Sequence, residues 1–157
     1  MMNSTANRTY YRLLVHLVIA MLIFPAAALA AEYVSVSKDG VNIRANPETK
    51  SEVLWEVPKD FPLEVMQRKD SWAQIQDFEG DKGWVYAPLL SKQKTVIIKV
   101  QSANLRVGPG TSYEIVASAK YGVIFKPEGK DGEWAKVSHA DGTVGWLYQS
   151  LFWPSSP

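Results

Sequence analysis

Beyond residue 30, apolar and polar residues alternate along several short stretches of the chain. Val34 and Val36 alternate with serines, and Ala73 and Ile75 alternate with a tryptophan and two glutamines. Successive side chains of a β-strand point to opposite faces, so this two-residue period predicts strands with one buried face. No stretch after residue 30 keeps an apolar period of 3.6 residues over three helical turns. The chain is therefore predicted to be all-β.

Glycine, proline, asparagine and aspartate separate these apolar stretches at short intervals. Such residues favour turns, so each interval marks the end of one strand and the start of the next. Five or so short strands in so small a span are typical of a small antiparallel barrel. In the first half of the mature chain the predicted strands are Val34–Val36, Val41–Arg44, Glu52–Val57, Pro62–Gln67, Ser71–Asp77 and Lys82–Tyr86.

The same pattern occurs twice in the chain. Shifted by 62 positions, residues 33–90 align with residues 95–152 without a gap, and only a short connection separates the two copies. A register that repeats tryptophan, glycine and proline indicates a duplicated structural unit. The residues identical in both copies include, in the first, Asn42, Arg44, Pro47, Thr49, Glu52, Trp72, Ala73, Gly80, Gly83, Trp84, Tyr86 and Leu89.

Three sequence elements occur in the same order in both copies: Asn-x-Arg followed by a proline, an isolated tryptophan, and Gly-Trp-Val/Leu-Tyr. They are Asn42-Ile43-Arg44, Pro47, Trp72 and Gly83-Trp84-Val85-Tyr86, and then Asn104-Leu105-Arg106, Pro109, Trp134 and Gly145-Trp146-Leu147-Tyr148. In this order and spacing they resemble the bacterial SH3 domains of envelope proteins. The resemblance implies two tandem SH3-like barrels, at residues 32–91 and 95–153, that recognise peptides or cell-wall material, often beside a hydrolase domain.

Strand parity predicts which side chains face outward. Because Ala73 and Ile75 suit the interior, Trp72 falls on the outer face of its strand. In the neighbouring predicted strand Val85 takes the core, which leaves Tyr86 facing outward together with the tryptophan before Val85. The same parity holds in the second copy, so each barrel is expected to carry a cluster of outward aromatic side chains.

The resemblance also implies a ligand groove. In the eukaryotic relatives, the tryptophan before the last hairpin and the side chains after the Gly-aromatic-aliphatic strand receive extended peptides. The acidic loop of that groove and its downstream proline are not evident here, so proline-rich ligands do not follow. Alternatively, the proline-containing loop or the other barrel covers these aromatic side chains. The implied ligand-binding residues are Trp72, Tyr86 and Leu89 in the first copy and Trp134, Tyr148 and Leu151 in the second.

The Asn-x-Arg element has two interpretations. Arg44 and Arg106 could bind a ligand carboxylate through the planar fork of guanidinium donors. More often, an arginine at a strand end ties down the adjacent loop by donating to backbone carbonyls, and this interpretation is favoured. Asn42 and Asn104 are interpreted as turn-forming residues.

Two further positions predict turns with a left-handed backbone. Where the second copy has Gly108 and Gly122, the first has Asn46 and Asp60. After glycine, asparagine and aspartate are the residues that best tolerate this conformation. We therefore expect a turn at each of these places.

Few residues of the chain are candidates for a catalytic role. The chain has no cysteine, which excludes disulfides, thiolate metal sites and a cysteine nucleophile. His139 is the only histidine beyond the leader, and its place in a predicted turn indicates a solvated side chain. Asp77, Glu79 and Asp81 form an acidic turn that could hold a cation weakly, although a solvated turn is favoured. We expect no enzymatic activity, no cofactor and no bound metal.

Charge divides unevenly between the copies. Residues 32–91 carry 7 basic and 11 acidic side chains, a net charge of −4, and residues 92–157 carry 8 and 5, a net charge of +3. Together the two ranges carry 15 basic and 16 acidic side chains. This near balance of charge argues against a nucleic-acid partner, which normally binds a basic face. Opposite charges joined by so short a connection favour docking of the two barrels, which are predicted to stabilise each other because a barrel of this size is marginal alone.

Residues 1–30 read as a secretory signal. Arg8 and Arg12 precede an apolar run, and Ala28-Leu29-Ala30 supplies the small residues of a cleavage site, so cleavage is expected after Ala30. An uncleaved membrane anchor is the alternative, since a membrane span needs about 20 apolar residues. Either way the folded part is expected in the periplasm or outside the cell.

Three functional hypotheses follow from these observations. The favoured one is a non-catalytic tandem module that binds cell-wall peptide or a protein partner in the envelope. The second is an envelope scaffold or regulator that binds a dedicated protein partner. The third, and least favoured, is a small cell-wall hydrolase.

Overall fold

Each repeat folds into an antiparallel sheet of seven strands in the computed structural model, which describes residues 31–155. The strands of the first sheet are β1 (Glu32–Val36), β2 (Val41–Arg44), β3 (Val53–Val57), β4 (Pro62–Lys69), β5 (Trp72–Gln76), β6 (Lys82–Tyr86) and β7 (Leu90–Ser91). Those of the second are β8 (Val96–Ile98), β9 (Ser102–Arg106), β10 (Ile115–Lys120), β11 (Ile124–Asp131), β12 (Trp134–Ser138), β13 (Val144–Tyr148) and β14 (Phe152–Trp153). The predicted all-β class is confirmed.

The two sheets share one topology. The first has the order β3-β2-β6-β5-β4-β1-β7, and the second repeats it as β10-β9-β13-β12-β11-β8-β14. The sequence pattern missed β7 and β14, because a strand of two residues is too short to show a period. Each follows a short 3₁₀ helix, Ala87–Leu89 or Gln149–Leu151, and pairs with the first strand of its sheet.

Burial confirms the predicted strand parity. Ala73, Ile75 and Val85 are fully buried in the first core, and Trp72 on the opposite face of β5 is half-buried. In the second unit Val137 and Leu147 are fully buried as well. Alternation along β5 and β12 therefore directs one aromatic ring of each unit away from its core.

The left-handed turns agree with the sequence at one place and differ at another. Asp60 has a φ of 66° and Gly122 a φ of 81°, as predicted. The chain also bends at Asn46 and Gly108, as predicted, but neither residue has a positive φ. Asp70, with a φ of 53° in the turn between β4 and β5, is a left-handed position that the sequence comparison did not single out.

The reason for a glycine at Gly108 is space. A Cβ added there would lie 2.6 Å from the ring of Tyr113, far closer than carbon atoms pack. In the first unit the residue corresponding to Tyr113 is Ser51, whose Oγ accepts a hydrogen bond of 2.8 Å from the backbone N–H of Asn46. Loss of the large ring in the first unit thus removes the need for glycine.

Residues beyond the connection contact the first unit directly. Thr95 Oγ1 donates to the carbonyl of Asp60 at 2.7 Å, and Lys126 Nζ lies 3.7 Å from an Asp60 carboxylate oxygen. The rings of Phe78 and Tyr121 approach to 5.3 Å between centroids, and the Tyr121 hydroxyl hydrogen-bonds with Glu79. The predicted docking of the two units is confirmed, whereas their mutual stabilisation stays a prediction.

The predicted leader and its cleavage after Ala30 concern residues 1–30, which lie outside the described part. Among residues 31–155 no helix reaches the length and apolarity that a membrane crossing requires. The secreted or periplasmic location therefore stays a prediction from the sequence.

Candidate functional site

A tryptophan and a tyrosine face each other across two neighbouring strands in each unit. Trp72 of β5 is the cross-strand partner of Tyr86 of β6, with ring centroids 5.7 Å apart and planes at 63°. Trp134 and Tyr148 repeat the arrangement at 5.4 Å and 65°. Edge-to-face packing of this kind holds both rings in fixed orientations. Register and parity together therefore build one rigid aromatic pair per unit.

In the first unit, the three residues implied by the resemblance line one cleft of about 260 Å³. Trp72, Tyr86 and Leu89 meet there with side chains from the β1–β2 turn, from β2 and from the loop after β2. Tyr86 is 42% exposed, so its ring is accessible from the cleft. The remaining residues of the lining are Lys38, Gly40, Val41, Asn42, Arg44 and Thr49.

Backbone hydrogen bonds hold the walls of this cleft in place. The backbone N–H and the hydroxyl of Ser37 both donate to the carbonyl of Leu89, at 2.9 and 2.8 Å. The N–H of Ala87 donates to the carbonyl of Ser71 at 2.8 Å, which fixes the start of the 3₁₀ helix beside β5. These bonds tie the β1–β2 turn to the 3₁₀ helix, and the 3₁₀ helix to the residue before β5.

The second unit arranges its corresponding residues differently. Trp134 lines a cavity of about 420 Å³ with Lys94, Lys130 and Phe152, but Tyr148 and Leu151 are not part of its lining. Leu151 is instead half-buried and packs against the second core. The structure thus brings the three implied residues of the first unit into one cleft, whereas the cavity beside Trp134 does not include Tyr148 or Leu151. Their roles in ligand binding stay a prediction in both units.

Glu133 occupies the polar edge of the second aromatic pair. Its carboxylate accepts a hydrogen bond of 2.6 Å from the Tyr148 hydroxyl and one of 3.1 Å from Gln149 Nε2. The hydrogen bond to Glu133 is the main reason that the pKa of Tyr148 lies above its usual value. The first unit has Ser71 at the corresponding position. Charge therefore distinguishes the two aromatic pairs although their ring geometry is the same.

The two arginines of the Asn-x-Arg elements tie down their own loops. Arg44 Nη1 donates to the carbonyl of Ser51 at 2.7 Å, and Arg106 Nη1 donates to that of Tyr113 at the same distance. This confirms the favoured interpretation. In the first unit Arg44 lines the cleft as well, so the same side chain supports the loop and faces a space where a ligand would lie.

Sequence reasoning did not foresee Lys38 and Thr49 in the first cleft. Lys38 belongs to the turn before β2, and Thr49 to the loop after it. A signal did exist for Lys38, because the repeat register aligns this charged residue with apolar Val100. A difference in charge between otherwise similar copies marks a position where the two units can differ in function.

The acidic turn is used internally. The carboxylate oxygens of Asp77, Glu79 and Asp81 lie within 4.8 Å of one another, which is close enough for cation ligands. Asp77 Oδ1, however, accepts hydrogen bonds from the N–H groups of Glu79 and Asp81 at 2.9 and 3.0 Å, and Glu79 also binds Tyr121. Burial of Asp77, which is 5% exposed, is the main cause that raises the pKa of its carboxyl group.

His139 is less solvated than its turn position predicts. Its side chain is only about one-third exposed, and its ring packs against Phe125 with centroids 5.3 Å apart. Nδ1 lies 3.0 Å from an oxygen of Asp141. Hydrogen bonds from Thr143 and His139 lower the pKa of Asp141 to about 2. The expectation of a solvated histidine is therefore wrong, because Phe125 covers one side of the imidazole ring.

Comparison with known proteins agrees with the repeat. The model of the bacterial SH3 domain matches residues 37–92 and again residues 99–154. Over 155 residues the chain is 30% identical to the "Putative N-acetylmuramoyl-L-alanine amidase YrvJ" of Bacillus subtilis (strain 168). The match covers 90% of this chain and 30% of that protein. The chain thus spans less than one-third of the length of this relative.

Two solved structures match this chain at low sequence identity. NlpC1 from Trichomonas vaginalis has a TM-score of 0.33 at 11% identity, over 82% of this chain and 47% of that one. An NlpC/P60 family protein from Bacillus cereus ATCC 10987 has a TM-score of 0.36 at 11% identity, over 76% of this chain and 55% of that one.

Proposed function

Because the chain belongs to the bacterial SH3 domain family, we propose that it is a tandem, non-catalytic module that binds peptide of the bacterial cell wall. The observation that carries the proposal is the cleft of the first unit, where Trp72, Tyr86 and Leu89 meet beside polar side chains. Rigid aromatic rings give large contact area at low entropic cost, and a few polar groups orient the ligand. The relative named as an amidase of a cell-wall substrate supports the same ligand class.

The location of the module follows from the same proposal. A cell-wall ligand lies outside the cytoplasm, and the predicted secretory signal at residues 1–30 would deliver the folded part there. Direct membrane contact is expected only if this leader remains uncleaved.

Retention on purified cell-wall sacculi tests the proposal. We expect the intact chain to sediment with purified sacculi. The Trp72→Ala variant should bind about tenfold more weakly, because removing an aromatic side chain from a binding site typically costs about 1.4 kcal/mol of binding free energy or more. Tyr113→Ser, which removes an exposed ring outside the cleft, is the matched control and should be retained as well as the unmodified chain. Absence of retention at every salt concentration would overturn the proposal.

A dedicated protein partner is the second candidate, because the second unit exposes apolar side chains at three positions where the first unit has small or charged residues. Val107, Tyr113 and Val144 are 54%, 47% and 45% exposed. The corresponding residues of the first unit are alanine, serine and lysine. Exposed apolar surface of this kind often marks a protein contact. If Trp72→Ala were retained on sacculi as well as the unmodified chain, and Tyr113→Ser lost binding to a protein partner, this candidate would be favoured.

A cell-wall hydrolase is the third possibility and is tested in the same preparation. Release of soluble fragments from sacculi by the purified chain would establish catalysis. We expect none, because the chain has no cysteine nucleophile and the ring of His139 is packed against Phe125.

A further inference from the structure

Both charged residues that line the first cleft are cationic, and the carboxylate of Glu56, the cross-strand partner of Asn42, lies beside Gly40. The lining itself contains two cationic residues, Lys38 and Arg44, and no acidic one. This is the reverse of the unit as a whole, since residues 32–91 carry a net charge of −4. Two cationic side chains that line one cleft of an acidic unit favour the binding of an anionic group in that cleft.

The donors of both residues have capacity for a ligand. Arg44 uses Nη1 for the carbonyl of Ser51, which fixes the guanidinium plane. Among residues 31–155 its other donors have no acceptor, and Lys38 forms no ion pair. A planar guanidinium held in this way suits a planar carboxylate, and the lysine ammonium adds a point charge beside it.

The second unit lacks this arrangement. Val100 replaces Lys38, and Glu133 adds a negative charge beside Tyr148. An anion that approached the second aromatic pair would meet this carboxylate, and like charges in close contact repel. The cavity beside Trp134 therefore contains Glu133 together with Lys94 and Lys130, whereas Lys38 and Arg44 are the charged residues in the lining of the first cleft.

We propose that the first unit selects a carboxylate of the cell-wall peptide through Lys38 and Arg44, and that the second unit does not. This inference rests on the proposed function. It assigns the recognition of the anionic group to the first cleft.

Chemical blocking of carboxylates tests the inference with sacculi as the probe. One sample is left untreated, and in a second the peptide carboxylates are converted to carboxamides. We expect the intact chain to bind the amidated sacculi about tenfold more weakly, the scale of a lost charge-assisted hydrogen bond. Lys38→Gln should weaken binding to untreated sacculi and should bind both samples with similar affinity.

Two control variants keep the test specific. Lys59→Gln removes the same charge from the same unit outside the cleft and should keep the full preference for untreated sacculi. Trp134→Ala alters the second unit and should keep that preference too. Equal binding of the intact chain to both samples would overturn the inference and leave the proposed function standing. Failure to bind either sample would overturn both.

Discussion

The ring of Trp72 meets the ring of Tyr86 edge to face, 5.7 Å away, across adjacent strands of the first sheet. Because the two residues are direct cross-strand partners, sheet register alone fixes their separation. The second unit has the same aromatic pair with different residues beside it. The fold therefore determines the geometry of the rings, and the neighbouring residues of each unit determine the charge beside them.

The Trp72–Tyr86 pair is expected to contribute coupling energy to the stability of the fold. In a double-mutant cycle with Trp72→Ala and Tyr86→Ala, we expect a coupling of about 0.5–1.5 kcal/mol, the range for such aromatic pairs. Chemical denaturation of the four proteins measures this coupling. Strictly additive effects of the two substitutions would contradict a direct interaction between the rings.

Gly108 is expected to be essential only while Tyr113 is present. Gly108→Ala places a Cβ against the Tyr113 ring and should destabilise the fold by about 1–3 kcal/mol, as overpacking does. Adding Tyr113→Ser should restore most of that loss, because serine is the residue of the first unit. Gly129→Ala is the control, since its Cβ would meet nothing closer than 3.9 Å. No recovery in the double variant would disprove the steric explanation.

Asp77 is expected to stabilise the fold through its hydrogen bonds more than through its charge. Asp77→Ala removes the acceptor of two backbone N–H groups and should cost about 1–3 kcal/mol. Asp77→Asn keeps an acceptor oxygen and should cost less than about 1 kcal/mol.

Asp77 should also contribute to the pH dependence of stability. The folded pKa is raised above the ordinary 3.8, so the folded state holds this proton more tightly than the unfolded state. The contribution of Asp77 to the free energy of unfolding is therefore fully present below pH 3.8 and declines as pH rises through the folded pKa. Denaturation at several acidic pH values should show that Asp77→Asn lacks this decline, and identical pH profiles would refute the assignment.

The contact between Tyr121 and Glu79 is expected to weaken at alkaline pH. Its hydrogen bond to Glu79 is the main cause that raises the pKa of Tyr121 to about 12. Since the folded pKa exceeds the usual value of 10, the contribution is complete below pH 10 and is lost as pH rises through about 12. Absorbance titration of the tyrosines should show one late group that disappears in Tyr121→Phe and shifts to lower pH in Glu79→Gln.

The two units are expected to stabilise each other. Residues 31–91 alone lose the contacts that Thr95, Tyr121 and Lys126 make with the first unit, and a barrel of this size buries only about 60% of its unfolded surface. The isolated first unit should therefore melt at a lower temperature than the two-unit chain in a thermal scan followed by circular dichroism. Equal melting temperatures would exclude mutual stabilisation.

The fold was accessible from the sequence because its signals are local or repeat in register. Alternation identified most of the strands, and it directed Ala73 and Ile75 inward and Trp72 outward without any knowledge of the neighbouring strands. Duplication then added a second, independent instance of the same pattern. Two-residue strands and the steric role of Gly108 escaped, because neither leaves a periodic trace in the sequence.

By itself the sequence determined that the chain is a duplicated all-β protein with one outward aromatic pair per unit. Only the tertiary structure decided that Lys38, Arg44 and Thr49 gather beside the first pair, and that Glu133 lies beside the second. Those residues come from different turns, loops and strands. Their distances depend on how the barrel closes, and no spacing along the chain encodes that closure.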